Sequence, residues 1–431
     1  MAERRVLLRG GTVVDGTGSR KADVLVVGSV IGEVAADLGA GPRGALVLDA
    51  EGCVVTPGLV DVHTHLREPG GEESETIESG ARAAALGGYT AVVAMPNTTP
   101  AADSADVVRY VLDQARSACC HVQPAGCITV GREGKVLAPM AEMAALGVRL
   151  FTDDGTGVQD PSLMRRALEY ASSLGAVVAQ HCEDASLAGA GCMNEGEWSS
   201  RLGLPGRPSL SEDVMVVRDL ALARLTGARV HLMHLSSARS VEAVRQAKAA
   251  GLANVSAEAT PHHLSLTEAL LGSYDPVFKV NPPLRTPADV EALRHGLSDG
   301  TIDVIGTDHA PHPPEAKQVP MCEAAPGMIG LETALSVVLT DLGLPIERVL
   351  ALMSWQPARL VGLTESQGGP IVPGAAANIC VIDLARRWTV DPARLASRSR
   401  NTPFAGRALT GRSRHTLYAG EPVVVGEEAQ R

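Results

Sequence analysis

The sequence predicts an α/β fold: a closed (β/α)8 barrel of the TIM type, beside a small β-sandwich built from both chain ends. Between about residues 53 and 345, short β-branched apolar runs alternate with Ala-, Leu-, Glu- and Arg-rich stretches of helical period. The apolar runs are nearly continuous, as in parallel strands that are buried on both faces. Both chain ends lack this alternation and instead show short strand patterns separated by glycine-rich turns.

Eight apolar runs predict the barrel strands, in chain order Cys53–Val62, Tyr89–Met95, His121–Val130, Val148–Thr152, Ala176–Gln180, Arg229–Met233, Ala253–Ala257 and Ile302–Thr307. Stretches of helical period lie between them, among them Glu75–Leu86, Pro161–Leu174, Glu212–Thr226, Ala238–Ala250 and Ala288–Leu297. Eight strand–helix repeats favour a closed barrel. The alternative is an open doubly wound sheet, but no Gly-x-Gly-x-x-Gly follows the first strand.

The two chain ends carry further strand patterns, which include Ala22–Val27 and Ala45–Leu48 near the start and Ala377–Asp383, Ser413–Tyr418 and Pro422–Val425 near the end. Each terminal segment is too small to bury a core alone. We therefore expect residues 1–54 and 366–431 to form one composite β-domain, with residues 55–365 as the barrel.

Composition restricts the function. Aromatic residues are only 3% of the 431 residues, so base-stacking platforms are not expected. The net charge of −11 argues against nucleic acid or an anionic membrane surface as a partner. The eight cysteines include no Cys-x-x-Cys pair, and no apolar run approaches the ~20 residues of a membrane span. These features predict a cytoplasmic enzyme with reduced thiols that acts on a small molecule.

Residues that bind metals follow several of the predicted strands. His63 and His65 end the first strand, and residues two apart in a strand point the same way. The fourth, fifth, sixth and eighth strands end at Asp153-Asp154, His181, His234 and Asp308. In a barrel these side chains would meet at one mouth, where they would provide the ligands of a two-metal hydrolytic site with a bridging carboxylate.

Each of these residues also has an ordinary structural interpretation. The sequence Asp153-Asp154-Gly155 strongly favours a turn. Single histidines often form hydrogen bonds in the core or in loops. Their common position at strand ends is what favours a metal site. We assign structural roles to the remaining histidines of interest, which are His121, His231, His262 and His263.

Seven motifs together resemble the long-chain bacterial (class I) dihydroorotases of the amidohydrolase superfamily, and the resemblance covers nearly the whole chain. The motifs are His63-Thr-His-Leu-Arg-Glu-Pro69, Met95-Pro-Asn-Thr98, Phe151-Thr-Asp-Asp-Gly155, His181-Cys-Glu-Asp184, Asn281-Pro-Pro-Leu-Arg285, Thr307-Asp-His-Ala-Pro-His312 and Gly330-Leu-Glu-Thr333. The resemblance implies zinc-dependent interconversion of N-carbamoyl-L-aspartate and L-dihydroorotate in pyrimidine synthesis.

The resemblance also implies two zinc ions per chain, held by His63, His65, Asp154, His181, His234 and Asp308. His63, His65 and Asp308 would hold the more buried ion, and His181 and His234 the second. In the family, the bridging residue lies 27 residues before the histidine that His181 matches. Asp154 has this spacing and Asp153 does not, so Asp154 matches the bridging position. Asp308 would also act as the catalytic acid and base.

Substrate contacts are implied in the same way. The residues that match the family's carboxylate contacts are Arg67, Asn97 and His312, and Asn281 matches a contact to the ring. Backbone groups at Pro326 and Gly327 match a further contact on the active-site loop. Many relatives have Pro-Phe-Gly there, whereas this chain has Ala-Pro-Gly and so departs from the family pattern at this contact.

Two other functions remain open. Another cyclic amidase, such as a hydantoinase or allantoinase, would share the metal site, although those relatives typically bridge it with a lysine and residues 151–155 contain none. A non-catalytic subunit that scaffolds an aspartate transcarbamoylase would lose ligands, and none is missing here. A homodimer is expected by analogy with the family.

Overall fold

The computed structural model describes residues 4–431, so residues 1–3 of the predicted first segment lie outside the described residues. The chain begins with seven strands, β1 (Arg5–Arg9), β2 (Thr12–Asp15), β3 (Gly18–Lys21), β4 (Asp23–Val27), β5 (Val30–Ala35), β6 (Leu46–Asp49) and β7 (Val54–Pro57). Four of them form a sheet in the order β5-β4-β1-β6, and β2, β3 and β7 join a second sheet.

Ten further strands follow, namely β8 (Leu59–Thr64), β9 (Tyr89–Ala94), β10 (His121–Pro124), β11 (Leu150–Phe151), β12 (Val177–Gln180), β13 (Met193–Asn194), β14 (Gly206–Arg207), β15 (Arg229–Leu232), β16 (Val255–Ala259) and β17 (Val304–Ile305). All except the short pair β13 and β14 belong to two parallel sheets, β8-β9-β10 and β11-β12-β15-β16-β17. Single bridges from Gly126 to Phe151 and from Thr64 to His309 join the two sheets at both edges. The eight strands therefore close into a ring.

The helices lie between these strands or follow them: α1 (Ile77–Leu86), α2 (Ala105–Gln114), α3 (Met140–Ala145), α4 (Pro161–Ser173), α5 (Ala185–Ala188), α6 (Glu197–Leu202), α7 (Leu210–Thr226), α8 (Ala238–Ala249), α9 (Pro261–Ser265), α10 (Pro287–Asp299), α11 (Pro314–Lys317), α12 (Ala334–Asp341), α13 (Ile346–Leu350) and α14 (Gln356–Leu360). Local sequence sets their starts. Asp160 accepts hydrogen bonds from two backbone N–H groups at the start of α4, directly before a proline at its first position. None of the helices in residues 4–431 is long and apolar enough to cross a membrane.

The last four strands are β18 (Ile379–Thr389), β19 (Ala408–Tyr418), β20 (Glu421–Val425) and β21 (Glu428–Ala429). They complete a seven-stranded sheet, β21-β20-β19-β18-β7-β2-β3, in which β18 pairs antiparallel with β7. Side chains from both ends of the chain share one apolar core, including Val6, Val26, Val55, Ile379 and Leu417. The predicted fold class, a barrel with a β-sandwich made from both ends, is confirmed.

The first predicted strand differs in one respect. The apolar run Cys53–Val62 contains two strands, because the chain leaves the sandwich at Pro57 and enters the barrel at Leu59. Gly58 lies between them, where a Cβ would come 2.0 Å from the Thr90 Oγ1 atom. Only glycine fits this close approach. The glycine therefore marks the junction between the two units, which the hydrophobic pattern alone does not show.

Candidate active site

The first histidine lies at the end of β8, completely buried, and a carboxylate fixes its tautomer. The His63 Nδ1 atom is 2.6 Å from the Glu258 Oε1 atom on β16. Because a carboxylate only accepts, the proton is on Nδ1, and the Nε2 lone pair is left free. Within the described chain this Nε2 atom has no hydrogen-bond partner, although Asp308 Oδ1 and Asp154 Oδ1 lie 3.4 and 3.7 Å away.

His65 is oriented in the same way by an amide. Its Nδ1 atom is 2.9 Å from the Asn97 Oδ1 atom, just past the end of β9. Its Nε2 atom lies 3.1 Å from Asp308 Oδ1 and 3.4 Å from Asp154 Oδ2. The free nitrogens of the two histidines therefore face the same two carboxylates.

The second pair of histidines comes from the ends of β12 and β15. The His181 Nδ1 atom lies 2.8 Å from the His234 Nε2 atom, and Asp154 Oδ1 is 3.5 and 3.8 Å from these two nitrogens. The other ring nitrogen of His234, Nδ1, is buried and has no hydrogen-bond partner in the part of the chain that the structure describes. This pair therefore lacks the kind of oriented partner that His63 and His65 have.

The two adjacent aspartates after β11 point to different places. Asp153 accepts hydrogen bonds from the backbone of Ile128 and Thr129 and from the Thr129 hydroxyl. Asp154 lies among the histidines; burial would raise its pKa, but the nearby His63, His181 and His234 outweigh burial and lower its pKa well below the usual value. The structure thus brings Asp154, not Asp153, into the cluster.

Asp308 follows β17, next to a residue that is held by a buried network. Its neighbour Thr307 donates through both its backbone N–H and its hydroxyl to Asp61, at 2.8 and 2.6 Å. Burial would raise the pKa of Asp308, but the nearby His63 and His65 outweigh it and lower the pKa. The backbone of Asp308 is left-handed, with φ of 46°, as are Arg67 and His234 with φ of 61° and 33°. Such backbone costs energy in non-glycine residues and is concentrated at functional sites.

These six residues fit metal ions. Two groups, His63–His65–Asp308 and Asp154–His181–His234, each place three ligand atoms within 4.8 Å of one another, and all six side chains are buried. The free Nε2 lone pair of His63 is unfavourable in an apolar interior without a partner, and the close approach of His181 Nδ1 to His234 Nε2 requires a proton or a cation between them. Imidazole and carboxylate ligands in this number suit zinc.

The cluster forms the floor of a cavity of about 190 Å³. Its walls include all the residues for which the sequence predicted substrate contacts, which are Arg67, Asn97, Asn281, His312, Pro326 and Gly327. Because Asn97 Oδ1 accepts from His65, its amide N–H₂ group is the part that can donate to a ligand. Apolar wall surface is limited to small side chains such as Val280 and Ala310.

Arg67 is the cation of this cavity. Its Nε donates to the Pro311 carbonyl at 3.1 Å, and its Nη2 lies 3.4 Å from the His312 Nε2 atom. His312 Nε2 is also 2.9 Å from the Pro326 carbonyl, which can only accept, so the His312 proton is on Nε2. Burial lowers the pKa of Arg67 to about 10 and that of His312 to about 3, so at neutral pH the arginine is charged and the histidine is not.

Gly327 closes the loop that carries His312. Its φ is 145°, and a Cβ would lie 2.8 to 2.9 Å from Ala310 and the His312 Nε2 atom. Asn401 donates to the carbonyls of both Ala310 and Gly327, which joins the two ends of the loop. A glycine at this position is therefore required by geometry, even though the preceding residues depart from the family pattern.

Sequence reasoning missed Glu258 and Asp61. Glu258 accepts from His63 Nδ1, His231 Nε2 and the His234 backbone N–H, so the histidine assigned a structural role orients the site through this carboxylate. Both acids are completely buried inside apolar strands. A single acidic residue in such a strand is the signal that could have identified them, because a buried carboxylate needs partners.

Comparisons with known proteins agree with this geometry. Residues 52–240 match the family model described as Dihydro-orotase-like. Curated dihydroorotases from Streptomyces coelicolor and Pelotomaculum thermopropionicum are 51% and 48% identical to the chain, and each alignment covers at least 97% of both proteins. Among solved structures, an L-hydantoinase (dihydropyrimidinase) from Arthrobacter aurescens superposes with a TM-score of 0.89 at 25% identity and covers 99% of this chain and 97% of its own.

A dihydropyrimidinase from Brevibacillus agri shares the fold, with a TM-score of 0.87 at 24% identity over 99% of this chain and 96% of its own. Sequence identity is thus about twice as high to the dihydroorotases as to these structural neighbours. The buried histidine–aspartate cluster, the closed barrel and the full-length similarity lead to one conclusion: the chain belongs to the dihydroorotase family.

Proposed function

We propose that this protein is a zinc-dependent dihydroorotase that interconverts N-carbamoyl-L-aspartate and L-dihydroorotate in pyrimidine synthesis. It is a hydrolase of the cyclic-amide type, in agreement with its curated relatives. The observation that carries the substrate assignment is a charged guanidinium, Arg67, in the wall of a small cavity that five of the six ligand-type residues also line. A substrate that combines a carboxylate with a cyclic amide fits this arrangement.

The metal centre is proposed as two zinc ions. His63, His65 and Asp308 would hold one ion, His181 and His234 the other, and Asp154 would bridge them. When bound, zinc ions polarise a carbonyl group and make a nearby water easier to deprotonate. The support for this centre is the two groups of converging ligand atoms and the unpartnered Nε2 atom of His63.

Proton transfer is assigned to Asp308. Its low pKa keeps it ionised at neutral pH, so it can accept the proton of the attacking water during ring opening. It then returns that proton to the departing ring nitrogen. Ring closure uses the same group in the opposite direction. The hydrogen bonds from Thr307 to Asp61 fix the backbone directly before Asp308.

Substrate orientation is assigned to the cavity walls. Arg67 would form a bidentate contact with the substrate carboxylate, with the N–H₂ donor of Asn97 and the neutral His312 ring beside it. Asn281, Pro326 and Gly327 would contact the ring. Since Arg67 also donates to the Pro311 carbonyl, its guanidinium is already oriented before substrate binds.

Several finer assignments are part of this proposal. We place the chain in the class I branch and in the cytoplasm, and we propose that it forms a homodimer and binds an aspartate transcarbamoylase. We also propose the division into residues 1–54 and 366–431 for the β-domain and 55–365 for the barrel. The support for the division is that strands from both ends share one core.

The decisive experiment is hydrolysis of L-dihydroorotate by protein of measured zinc content, with hydantoin and allantoin assayed in parallel. Selective turnover of dihydroorotate is expected. Turnover of hydantoin or allantoin instead would favour another cyclic amidase. The structural similarity to the L-hydantoinase is the reason to test this alternative. No turnover at full zinc content would favour the scaffold function.

A further inference from the structure

The loop that carries His312 is fastened to a neighbouring segment by two lysines. Lys317, on α11, has a buried side chain, and its Nζ donates to the carbonyls of Pro276 and Lys279, both at 3.1 Å. In return, Lys279 Nζ donates to the Cys322 carbonyl at 2.9 Å. All of these contacts are hydrogen bonds to backbone carbonyls, and the neighbouring Met321 belongs to the same apolar cluster as Met193 and Val280.

A pair of cysteines lies beside these contacts. The Cys192 Sγ atom, at the entrance to β13, is 2.7 Å from the Cys322 Sγ atom in the loop. Cys322 is exposed, whereas Cys192 and the other six cysteines are buried. No other pair of thiols among residues 4–431 shares a hydrogen bond of this kind, so this contact singles out two cysteines that are 130 residues apart in sequence.

The two sulfurs belong to parts of the molecule with different anchoring. Two residues after Cys192, Asn194 donates to Glu268 and accepts from Arg285, both at 2.7 Å, so β13 is fixed to the barrel. Cys322 lies between α11 and the cavity residue Pro326. A covalent bond between the sulfurs would therefore join the segment that leads to Pro326 to the barrel.

We infer that Cys192 and Cys322 form a reversible disulfide that holds the active-site loop against the barrel. Peroxide is the oxidant that we name. The exposed Cys322 thiolate attacks one peroxide oxygen, which forms the sulfenic acid and releases hydroxide. The Cys192 sulfur then attacks the Cys322 sulfur, the S–O bond breaks, and the hydroxyl leaves as water with the Cys192 proton. Overall, two thiols are oxidised and one peroxide is reduced to two waters.

The environments of the two thiols fit this order of steps. Burial and the contact with Cys322 raise the pKa of Cys192 to about 12, so at neutral pH Cys192 is a thiol and does not compete for peroxide. Cys322 is the sulfur that solvent reaches. In cells with a reducing interior, disulfides are usually transient and serve redox sensing, which suits a pair that responds to peroxide.

Trypsin provides a direct test of loop opening. Cleavage after Lys317 requires its buried side chain to leave the Pro276 and Lys279 carbonyls. We expect peroxide-treated protein to be cleaved there more slowly than reduced protein. Fragments 1–317 and 318–431 should stay joined until dithiothreitol is added, because Cys192 and Cys322 lie on opposite sides of the cut.

Thiol titration and peptide mapping identify the bond. Mild peroxide treatment should lower the number of titratable thiols in the denatured protein from eight to six. The cross-linked peptides should contain Cys192 and Cys322. Cys322→Ser, at an exposed position, should retain its fold and lose the cross-link, and Cys192→Ser should do the same. Cys119→Ser removes a buried thiol elsewhere and should leave the cross-link intact.

Oxidation should also lower dihydroorotate turnover by roughly threefold or more, reversibly, because opening of an active-site loop limits turnover in many enzymes. This last effect rests on the proposed function, whereas the cross-link and the trypsin result do not. The inference is overturned if peroxide leaves Cys192 and Cys322 unlinked, or if linked and reduced proteins are cleaved after Lys317 at the same rate. A protein that forms the cross-link but never hydrolyses dihydroorotate contradicts only the proposed function.

Discussion

The two halves of the candidate metal centre are built differently. In the half made by His63, His65 and Asp308, a buried carboxylate and an amide orient the two imidazoles, through Glu258 at 2.6 Å and Asn97 at 2.9 Å. In the half made by Asp154, His181 and His234, the two imidazoles contact each other at 2.8 Å. Partners beyond the ligands fix the tautomer and raise the basicity of a ligating histidine. The first half is thus preorganised for a cation, and the second depends on the cation for its order.

The largest expected effect comes from removing the acid in the preorganised half. Asp308→Asn should lower dihydroorotate turnover by roughly 10²-fold or more, as is typical when a general acid or base is lost. His63 and His65 remain oriented, so most of the bound zinc should be retained. Turnover and zinc content measured on the same preparation test this expectation. Asp106→Asn, at an exposed position on α2, is the control, and near-normal activity of Asp308→Asn would contradict the assigned role.

Removing the orienting carboxylate tests the comparison itself. In Glu258→Gln an amide can still contact His63 but carries no charge to stabilise the Nδ1 proton. Zinc affinity or turnover should fall by roughly 10- to 100-fold, as for other substitutions just outside a metal's ligands. Zinc titration against a chelator gives the affinity. Glu242→Gln on the surface of α8 is a matched control, and an unchanged affinity in Glu258→Gln would mean that preorganisation through this carboxylate contributes nothing.

Stepwise removal of metal distinguishes the two halves without a substitution. During dialysis against a chelator, the zinc held by His181 and His234 should leave before the zinc held by His63, His65 and Asp308. The His181–His234 pair has no partners that orient its rings, so it should bind its ion less tightly. We expect dissociation rates that differ by roughly tenfold, equivalent to about 1.4 kcal/mol. Zinc analysis over time gives both rates. His234→Asn should abolish the fast phase and keep the slow phase, and a single phase in the unaltered protein would show that the halves are equivalent.

The smallest effect is expected at the cavity wall. Arg67→Lys keeps the positive charge but cannot form two parallel hydrogen bonds to a carboxylate. The loss of about 1.5 kcal/mol for one charge-assisted hydrogen bond corresponds to roughly a tenfold rise in KM, with kcat less affected. Steady-state kinetics with L-dihydroorotate measure both constants. Arg149→Lys is the control, since Arg149 bonds only to backbone carbonyls outside the cavity.

Much of this architecture could be predicted because it repeats along the chain. The alternation of strands and helices, and the ligand-type residues at strand ends, are local patterns, and α4, α7 and α8 lie within a few residues of their predicted bounds. The resemblance to the family, whose bridging aspartate lies 27 residues before the matching histidine, selected the aspartate that the structure places in the cluster. These features need no knowledge of which strands are neighbours.

What could not be predicted depends on contacts between distant parts of the chain. Glu258 acts on His63 across 195 residues, and in sequence it is only one acid in the short strand β16. The Cys192–Cys322 contact joins residues from two loops, with no local motif at either position. Gly58 likewise required the position of Thr90 on the next strand. In each case the partner is set by barrel closure, which sequence periodicity does not specify.

The pairing of β7 with β18 has a consequence for biosynthesis. A ribosome delivers β7 and the adjoining His63–His65 strand early, whereas β18 emerges only after the whole barrel has been made. Until then the edge of β7 is unpaired, and unpaired strand edges of nascent chains are prone to aggregate. Premature termination just before Ile379 would therefore release a chain with every metal-ligating residue and an unprotected sheet edge, which makes such fragments natural clients of chaperones rather than partly active enzymes.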